Sequence, residues 1–291
     1  MMEGIINVLK PPGMTSHDVV NQIRRLTGVR RTGHTGTLDP GAAGVLPVCV
    51  GKATRVSEFV LEMDKSYRAE LTLGQATDSE DAAGTVIAEK QVPSLTGELI
   101  GRVLKSFIGQ GTQIPPMYSA VRVGGKRLYE LARQGKEVSR EPRTVHIYSV
   151  EPVRFDHRMV LFDVDCSRGT YVRTLCREIA EKLDTVGHMS FLLRTAVGPF
   201  LLDQTWTLEE LAGLAESGRL QEALMPADVA LQRLPSVTVS AEQALLIKNG
   251  VAVTAGNLPP EGETVRVYDS AGSFLAIGRA GIDTVKPQKV F

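Results

Sequence analysis

The chain of 291 residues lacks the features that mark secreted, membrane-spanning and metal-binding proteins. Its three cysteines, Cys49, Cys166 and Cys176, lie far apart in apolar stretches and show no Cys-x-x-Cys spacing. An odd count with this spacing argues against a disulfide framework and against a zinc site, and the five histidines show no ligand spacing either. The chain has no apolar run of about 18 residues and no signal peptide at its start. We therefore expect a metal-free cytoplasmic protein without a membrane segment.

An excess of charge of one sign is also missing, since 33 basic residues balance 33 acidic ones. A neutral total is not typical of a nucleic-acid-binding protein. The distribution is uneven, however: residues 121–143 hold seven basic and three acidic side chains, whereas residues 61–98 hold three basic and eight acidic ones. A locally positive face is sufficient for phosphate contacts, although a solvated helix surface would have the same composition.

Residues 33–40 have the sequence GHTGTLDP and cannot form a helix interior, because glycine and proline are too frequent in and around them. The residue before a proline is displaced from the α region, so Asp39 is held in an extended or turn conformation by Pro40. On these residues alone, an Asx turn closed by Asp39 is the ordinary interpretation.

Apolar periodicity and turn residues predict a mixture of strands and helices over the first 233 residues. Alternation of apolar and polar residues indicates a strand at 67–73, and Ser16 is a good N-cap for a helix that ends at Gly28. The remaining predicted elements are strands at 4–9, 46–50 and 188–197, a hairpin of 145–155 with 159–166, and helices at 53–63, 96–107, 208–224 and after Thr170.

Residues 234–291 are predicted to form a separate small unit. A strand at 237–239 and a helix at 242–248 precede a hairpin at 264–280 that turns at residues 269–272. The boundary is expected near residues 233–235.

Residues 33–40 resemble the signature loop of the TruB family of tRNA pseudouridine synthases, and Arg30-Arg31 before the loop also matches. Three further motifs resemble the family, namely Lys10-Pro11-x-Gly13, Lys65-x-Tyr67 and Gly169-Thr170-Tyr171-x-Arg173. The resemblance covers residues 4–233 well, and the remainder only as a pattern of strands and one helix.

The resemblance implies an α+β fold with two domains. Residues 1–233 would form a pseudouridine synthase catalytic domain on a mixed, mainly antiparallel sheet with flanking helices, with an RNA-binding insertion at about 110–144. Residues 234–291 would form a small PUA-like β-barrel that binds RNA.

The same resemblance implies an activity, namely isomerisation of uridine to pseudouridine at position 55 in the T-loop of tRNA. The target base is flipped out and Asp39 acts as the nucleophile. Whether the carboxylate attacks the sugar C1′ or the base C6 stays open. No cofactor and no obligatory protein partner are implied, and we expect a monomer that binds the T-arm of tRNA.

The resemblance also implies roles for other side chains. Arg173 would pair with Asp39, whereas the residues alone favour a surface pair with Glu178 or Glu181. The apolar faces of the base pocket would come from Tyr67 and from Leu192, although Leu193 is an alternative for the second. The remaining expected contacts are those of Tyr171 with the base or ribose, of His34 inserted into the RNA, and of Arg30, Arg31, Lys126, Arg127 and Arg133 with the RNA backbone.

Two other functions are alternatives to this one. A tRNA-binding chaperone without turnover would not need Asp39, Arg173 and Tyr67 together. An aspartyl-phosphate enzyme would need a magnesium site, and the loop carries no second carboxylate. Tyr67 is a further candidate for removing the C5 proton, although a pKa near 10 makes an ordinary tyrosine a poor base at neutral pH.

Overall fold

A computed structural model describes residues 2–119, 121–132 and 134–291 of the chain. The helices of the described residues are α1 Ser16–Thr27, α2 Ser57–Leu61, α3 Gly97–Lys105, α4 Leu128–Ala132, α5 Val172–Lys182, α6 Leu208–Glu216 and α7 Ala241–Lys248. The strands of the first unit are β1 Gly4–Lys10, β2 Thr32–His34, β3 Ala43–Val50, β4 Lys65–Leu73, β5 Gln75–Thr77, β6 Val86–Glu89, β7 Gly109–Gln113, β8 Arg122–Val123, β9 Lys126–Arg127, β10 Arg143–Phe155, β11 Met159–Cys166, β12 Gly187–Val197 and β13 Phe200–Leu201. Those of the second unit are β14 Ser236–Val239, β15 Val253–Thr254, β16 Thr264–Asp269, β17 Phe274–Ala280 and β18 Thr284–Val290.

The first unit is built on a sheet in the order β1-β3-β12-β4-β11-β10-β7, with β2 paired to β3 and β13 to β12. Every pair in this sheet is antiparallel except β3 with β12. The predicted α+β class and the mixed, mainly antiparallel sheet are therefore confirmed.

Strand β4 lies at the middle of this sheet and shows why the layers form. Tyr67, Ala69, Leu71 and Leu73 alternate with more exposed residues and are buried against the apolar sides of α3 and α5. At the edge of the sheet formed by β1 and β3, α1 and α6 cover these two strands.

Short 3₁₀ segments replace parts of two predicted helices. Residues Gly51–Val56 form such a segment before α2, so the helix predicted at 53–63 is broken. The helix predicted at 208–224 ends with α6, and Leu220–Ala223 is another 3₁₀ segment.

Two predicted helix caps are wrong. The N-cap of α1 is Thr15, whose hydroxyl accepts from the Asp18 N–H while the Asp18 side chain accepts from the Thr15 N–H. This capping box is more favourable than a single serine cap and leaves Ser16 free for another bond. The N-cap of α5 is Tyr171, because the Thr170 hydroxyl donates instead to the Ser167 carbonyl.

The second unit is a five-stranded curled sheet in the order β14-β16-β17-β18-β15, with α7 packed on it, and it has a PUA-like form. It contacts the first unit through Phe274, Ile277 and Phe291, which join a core cluster with Val45 and Val60. The domain limits 1–233 and 234–291 remain a prediction.

The expected RNA-binding insertion at about 110–144 contains the edge strand β7 and the start of β10, which both belong to the central sheet. The part that projects from the sheet is therefore shorter, at about 114–142, and holds the β8–β9 hairpin and α4. None of the helices in the described parts of the chain is both long and apolar enough to cross a membrane.

Candidate active site

The signature loop connects β2 to β3 and is held by bonds from the segment before α1. The Gly13 N–H donates to the Pro40 carbonyl at 2.8 Å. The Ser16 hydroxyl accepts from the Leu38 N–H at 2.9 Å and is buried with it. These bonds fix the backbone on both sides of Asp39, so its side chain is directed by the loop.

Lys10 lies below the loop with no exposed surface. Its ammonium donates to the carbonyls of Ala42, Pro11 and Pro40 at 2.6, 2.9 and 3.2 Å. Burial lowers the pKa of Lys10 to about 8, and the charge of Asp39 partly offsets this effect. Lys10 therefore still carries its charge at neutral pH, both as a brace of the loop and as a cation near Asp39.

Arg194 is a second buried cation at the loop and is 2% exposed. Its guanidinium donates to the carbonyls of Val45 at 2.7 Å and of Gly36 at 3.2 Å. Gly44 allows β3 to approach the β12 backbone at Arg194, since a Cβ on Gly44 would lie 2.2 Å from the Arg194 carbonyl oxygen. Gly44 also has a φ of +115°, which other residues rarely adopt.

Arg173, the second residue of α5, contacts Asp39 with two nitrogens. Its Nε lies 3.0 Å from Asp39 Oδ2, and one terminal nitrogen lies 3.3 Å from Oδ1. The same guanidinium donates to the carbonyls of Ser79 at 3.1 Å and Tyr118 at 2.8 Å. The alternative partners, Glu178 and Glu181, pair with Arg177 instead.

The pKa of Asp39 is raised above its ordinary value, mainly by burial and also by the Asp81 carboxylate. Arg173 and Lys10 act in the opposite direction and lower it. Burial therefore outweighs the guanidinium in the net shift of the Asp39 pKa. Because 36% of the Asp39 side chain remains exposed, contact with solvent limits how far its pKa rises.

Asp81 belongs to the acidic turn between β5 and β6 and lies 3.8 Å from a terminal nitrogen of Arg173. A second carboxylate therefore does lie near the signature loop, although it is distant from the loop in the sequence. In the described parts of the chain, no three histidine, cysteine, aspartate or glutamate side chains are grouped so that they could hold a metal ion.

A cavity of about 340 Å³, which we name the inner cavity, opens beside Asp39 and Arg173. Tyr67 and Leu192, which are 9% and 8% exposed, form an apolar wall of this cavity, and Tyr171 also lines it. A pocket of this size is typical of a small-molecule or nucleobase site. The further residues that line it are Gly36, Thr37, Leu38, Leu61, Lys65, Ser119, Ser167, Gly169, Thr170, Val172 and Arg194.

Burial raises the pKa of Tyr67 above its ordinary value, while the nearby Arg194 guanidinium acts in the opposite direction. The phenol therefore stays protonated at neutral pH, which argues against Tyr67 as a proton acceptor. Its buried ring is suited to packing against a base.

A larger space of about 680 Å³, the outer cavity, adjoins the inner one across Leu38 and Asp39. His34 lines it together with Arg127 and Tyr129 from the projecting segment. Burial lowers the pKa of His34, and Arg194 adds to this effect. The imidazole is accordingly neutral at pH 7, and its Nδ1 accepts from the Gly36 N–H at 3.3 Å.

The other expected RNA-backbone residues within the described parts of the chain, Lys126, Arg30 and Arg31, line neither cavity. Lys126 is exposed on β9, and Arg30 is exposed before β2. Arg31 lines a groove at the junction of the two units, together with Arg55 and Lys289. Arg133 lies outside the described residues.

Sequence reasoning missed the roles of Lys10, Lys65 and Arg194 at the site. Lys65 donates to the carbonyls of Leu61 and Met63 at the wall of the inner cavity, and burial lowers its pKa to about 8. The sequence signal that could have identified them is a basic residue within or beside an apolar strand. Such a side chain is buried only when partners satisfy its charge, so its position indicates a structural or functional role.

Comparison with known proteins agrees with this geometry. Residues 24–172 match the family described as "TruB family pseudouridylate synthase (N terminal domain)", and residues 173–232 and 235–291 match two TruB C-terminal families. The chain is 49% identical to tRNA pseudouridine synthase B of Alkaliphilus oremlandii, covering 92% of this chain and 90% of that protein. It is 45% identical to tRNA pseudouridine synthase B of Caldanaerobacter subterraneus subsp. tengcongensis, covering 100% and 99%. A chain in the crystal structure of a Cbf5-Nop10-Gar1 complex superposes with a TM-score of 0.76 at 30% identity, covering 99% of this chain and 84% of that one.

Proposed function

The chain belongs to the TruB family of pseudouridylate synthases, and we propose that it isomerises uridine to pseudouridine at position 55 in the T-loop of tRNA with Asp39 as the nucleophile. The observation that carries the assignment of Asp39 is its position. The carboxylate is paired with the buried Arg173 and faces a cavity walled by Tyr67 and Leu192.

The reaction needs an ionised carboxylate and a pocket for one base. The N1–C1′ bond of the uridine breaks, the uracil turns, and C5 bonds to C1′, after which C5 loses a proton and N1 gains one. The substrate and product are isomers, so no redox partner enters. Asp39 acts by nucleophilic catalysis, with attack on C1′ or on C6 both compatible with its place beside the cavity.

Arg173 and Lys10 would keep enough of Asp39 ionised at neutral pH, because both lower a pKa that burial raises. Arg173 also fixes the carboxylate in orientation through two contacts. It therefore has an electrostatic role and a positioning role at once.

The target base must leave the RNA stack before it can reach Asp39, at a cost of a few kcal/mol. Tyr67 and Leu192 would receive the everted base between their apolar faces, and Tyr171 would contact the base or its ribose. His34, which is neutral and lines the outer cavity, would enter the space that the base leaves.

The RNA backbone would be held by cations around the site. Arg127 lies at the outer cavity, while Lys126, Arg30 and Arg31 are exposed elsewhere on the surface. Phosphate contacts of this kind supply affinity and are weakened by salt.

We further propose that the protein acts as a cytoplasmic monomer that needs no protein partner for turnover. The three cysteines are buried and unpaired, as suits a reducing compartment. Size-exclusion chromatography with light scattering, run on a sample that converts tRNA by itself, tests the monomeric state and the independence from a partner.

The experiment that tests the function compares wild type with Asp39→Asn on tRNA tritiated at uridine C5. Wild type should release tritium and form pseudouridine at position 55. Asp39→Asn should bind the tRNA with similar affinity and release none, since an amide is not a nucleophile here. Asp203→Asn, a change of the same type at an exposed position, is the matched control and should retain activity.

Appreciable release by Asp39→Asn would exclude the nucleophile assignment. Binding without release by wild type would favour the alternative of an RNA chaperone.

A further inference from the structure

Ser119 has the one buried side-chain hydroxyl among the described residues that lacks a hydrogen-bond partner. The residue is 5% exposed and lies in the segment between β7 and β8. An unmade hydrogen bond on a buried hydroxyl costs stability, so such groups are rare and call for a physical reason.

The backbone of Ser119 is fixed on three sides. Its N–H donates to the Met117 carbonyl at 3.0 Å, and its carbonyl accepts from the Tyr129 N–H at 3.1 Å. The preceding carbonyl, that of Tyr118, accepts from the Arg173 guanidinium at 2.8 Å. The cation that orients Asp39 therefore also sets the position of the Ser119 side chain.

Ser119 lines both the inner and the outer cavity, as do Asp39 and Arg173. Three other polar side chains of the inner cavity are already engaged within the protein. Ser167 accepts from the His146 N–H at 2.8 Å, Thr170 donates to the Ser167 carbonyl, and Lys65 is bonded to two carbonyls.

A uracil that enters the inner cavity brings two carbonyl oxygens and one N–H, and each needs a partner once water is removed. We infer that the Ser119 hydroxyl donates a hydrogen bond to a uracil carbonyl, O2 or O4, and so helps to orient the everted base for attack by Asp39. Ser119 is thus a substrate-contacting residue that selects a base with an acceptor at that position. This inference rests on the proposed function.

The test uses three tRNA transcripts with uridine, 2-thiouridine or 4-thiouridine at the target position. Sulfur is a weaker hydrogen-bond acceptor than oxygen, so the thio base that alters the contacted atom no longer benefits from the hydroxyl. Single-turnover rates of wild type and Ser119→Ala are measured on each RNA by chromatography of the digested nucleosides.

Ser119→Ala should lower the rate on the uridine transcript about 10-fold, the kinetic equivalent of one hydrogen bond. The ratio of the wild-type rate to the Ser119→Ala rate should fall close to one on either the 2-thio or the 4-thio transcript. The affinity of Ser119→Ala for tRNA should be unchanged. Ser167→Ala is the matched control, because it removes a hydroxyl of the same cavity that is bonded within the protein. Its effect should be the same on all three transcripts.

An equal loss for Ser119→Ala on all three transcripts, or no loss on uridine, would overturn the inference. If the alanine variant does not fold, Ser119→Cys keeps the size and weakens the donor, and the same ratios apply. Wild type and Asp39→Asn on the uridine transcript test the proposed function separately, so failure of the two claims can be told apart.

Discussion

Replacement of Arg173 gives the sharpest test of how the site controls its carboxylate. The guanidinium makes three hydrogen bonds, to Asp39 Oδ1 and to the carbonyls of Ser79 and Tyr118, and its Nε makes an ion-pair contact with Asp39 Oδ2. Arg173→Met keeps the apolar stem and removes every donor. Arg173→Lys keeps the charge but not the planar fork that reaches four acceptors.

The expected loss of stability follows from burial. Arg173 is 4% exposed, and removing one partner of a buried ion pair costs about 3–5 kcal/mol. The Asp39 side chain is 36% exposed and can be solvated when its partner is lost, so we expect about 3 kcal/mol for Arg173→Met. Arg173→Lys should cost about 1–2 kcal/mol, since it leaves some of the buried acceptors unpaired.

The pH dependence of the rate distinguishes the electrostatic role from this structural one. In Arg173→Met, the cation that lowers the pKa of Asp39 is gone, while burial and Asp81 still raise it. The acid limb of the pH–rate profile should therefore move to higher pH. Asp81→Asn removes a negative charge, so its acid limb should move to lower pH, and Arg173→Lys should stay close to wild type.

The assay is single-turnover tritium release from tRNA labelled at uridine C5, measured from acid to mildly alkaline pH, with unfolding by denaturant on the same samples. Arg177→Met is the matched control, because Arg177 lies on the same helix in ion pairs with glutamates and does not contact Asp39. Its acid limb should not move. If the acid limb of Arg173→Met also stays in place, Arg173 does not govern the ionisation of Asp39 and the electrostatic argument is refuted.

Three further predictions concern stability and RNA affinity. The pKa of Asp39 is higher in the folded state than in the unfolded state, so ionisation of Asp39 destabilises the fold as the pH rises above the unfolded pKa. The free energy of unfolding of Asp39→Asn, measured by denaturant titration, should therefore increase relative to wild type between pH 4 and pH 7. A constant difference would contradict this. Gly44→Ala should lower the free energy of unfolding by roughly 2–6 kcal/mol, because the added Cβ would overlap the backbone of β12 and Gly44 has a positive φ. Gly101→Ala in α3 is the control: its added Cβ meets nothing within 4 Å, so it should be neutral or stabilising in the same unfolding assay. Lys126→Ala and Arg127→Ala should each reduce the slope of log affinity against log salt for tRNA by about 1, and an unchanged slope would remove that residue from the interface.

Local structure was predictable where one physical signal dominated. The alternation along β4 identified its buried side, and the apolar strands on either side of residues 156–158 correctly predicted the β10–β11 hairpin. Errors arose where two polar residues competed. Thr15 and Ser16 are both good caps, and only the tertiary bond from Ser16 to Leu38 explains why Thr15 takes that role.

The candidate site was less accessible to local reasoning. Asp39 and Arg173 are 134 positions apart, and no spacing rule brings them together. The resemblance to a family suggested this pair, and the structure brings the two side chains into contact. Lys10 and Arg194 were missed because their partners are backbone carbonyls, which leave no trace in the side-chain sequence.

Those carbonyl partners explain how a chain of zero net charge can hold a half-buried carboxylate. Lys10 and Arg194 each bind two or more backbone carbonyls within or beside the signature loop, whereas Arg173 binds the carbonyls of Ser79 and Tyr118, so the three charges are desolvated but not left unpaired. The bonds of Lys10 and Arg194 fix the loop that positions Asp39, and Lys10 and Arg173 lower the pKa of Asp39. The geometry of the loop and the ionisation of its aspartate therefore both depend on Lys10. A substitution that removes the Lys10 ammonium should disturb both together, whereas Asp81→Asn should change the ionisation with little effect on the loop.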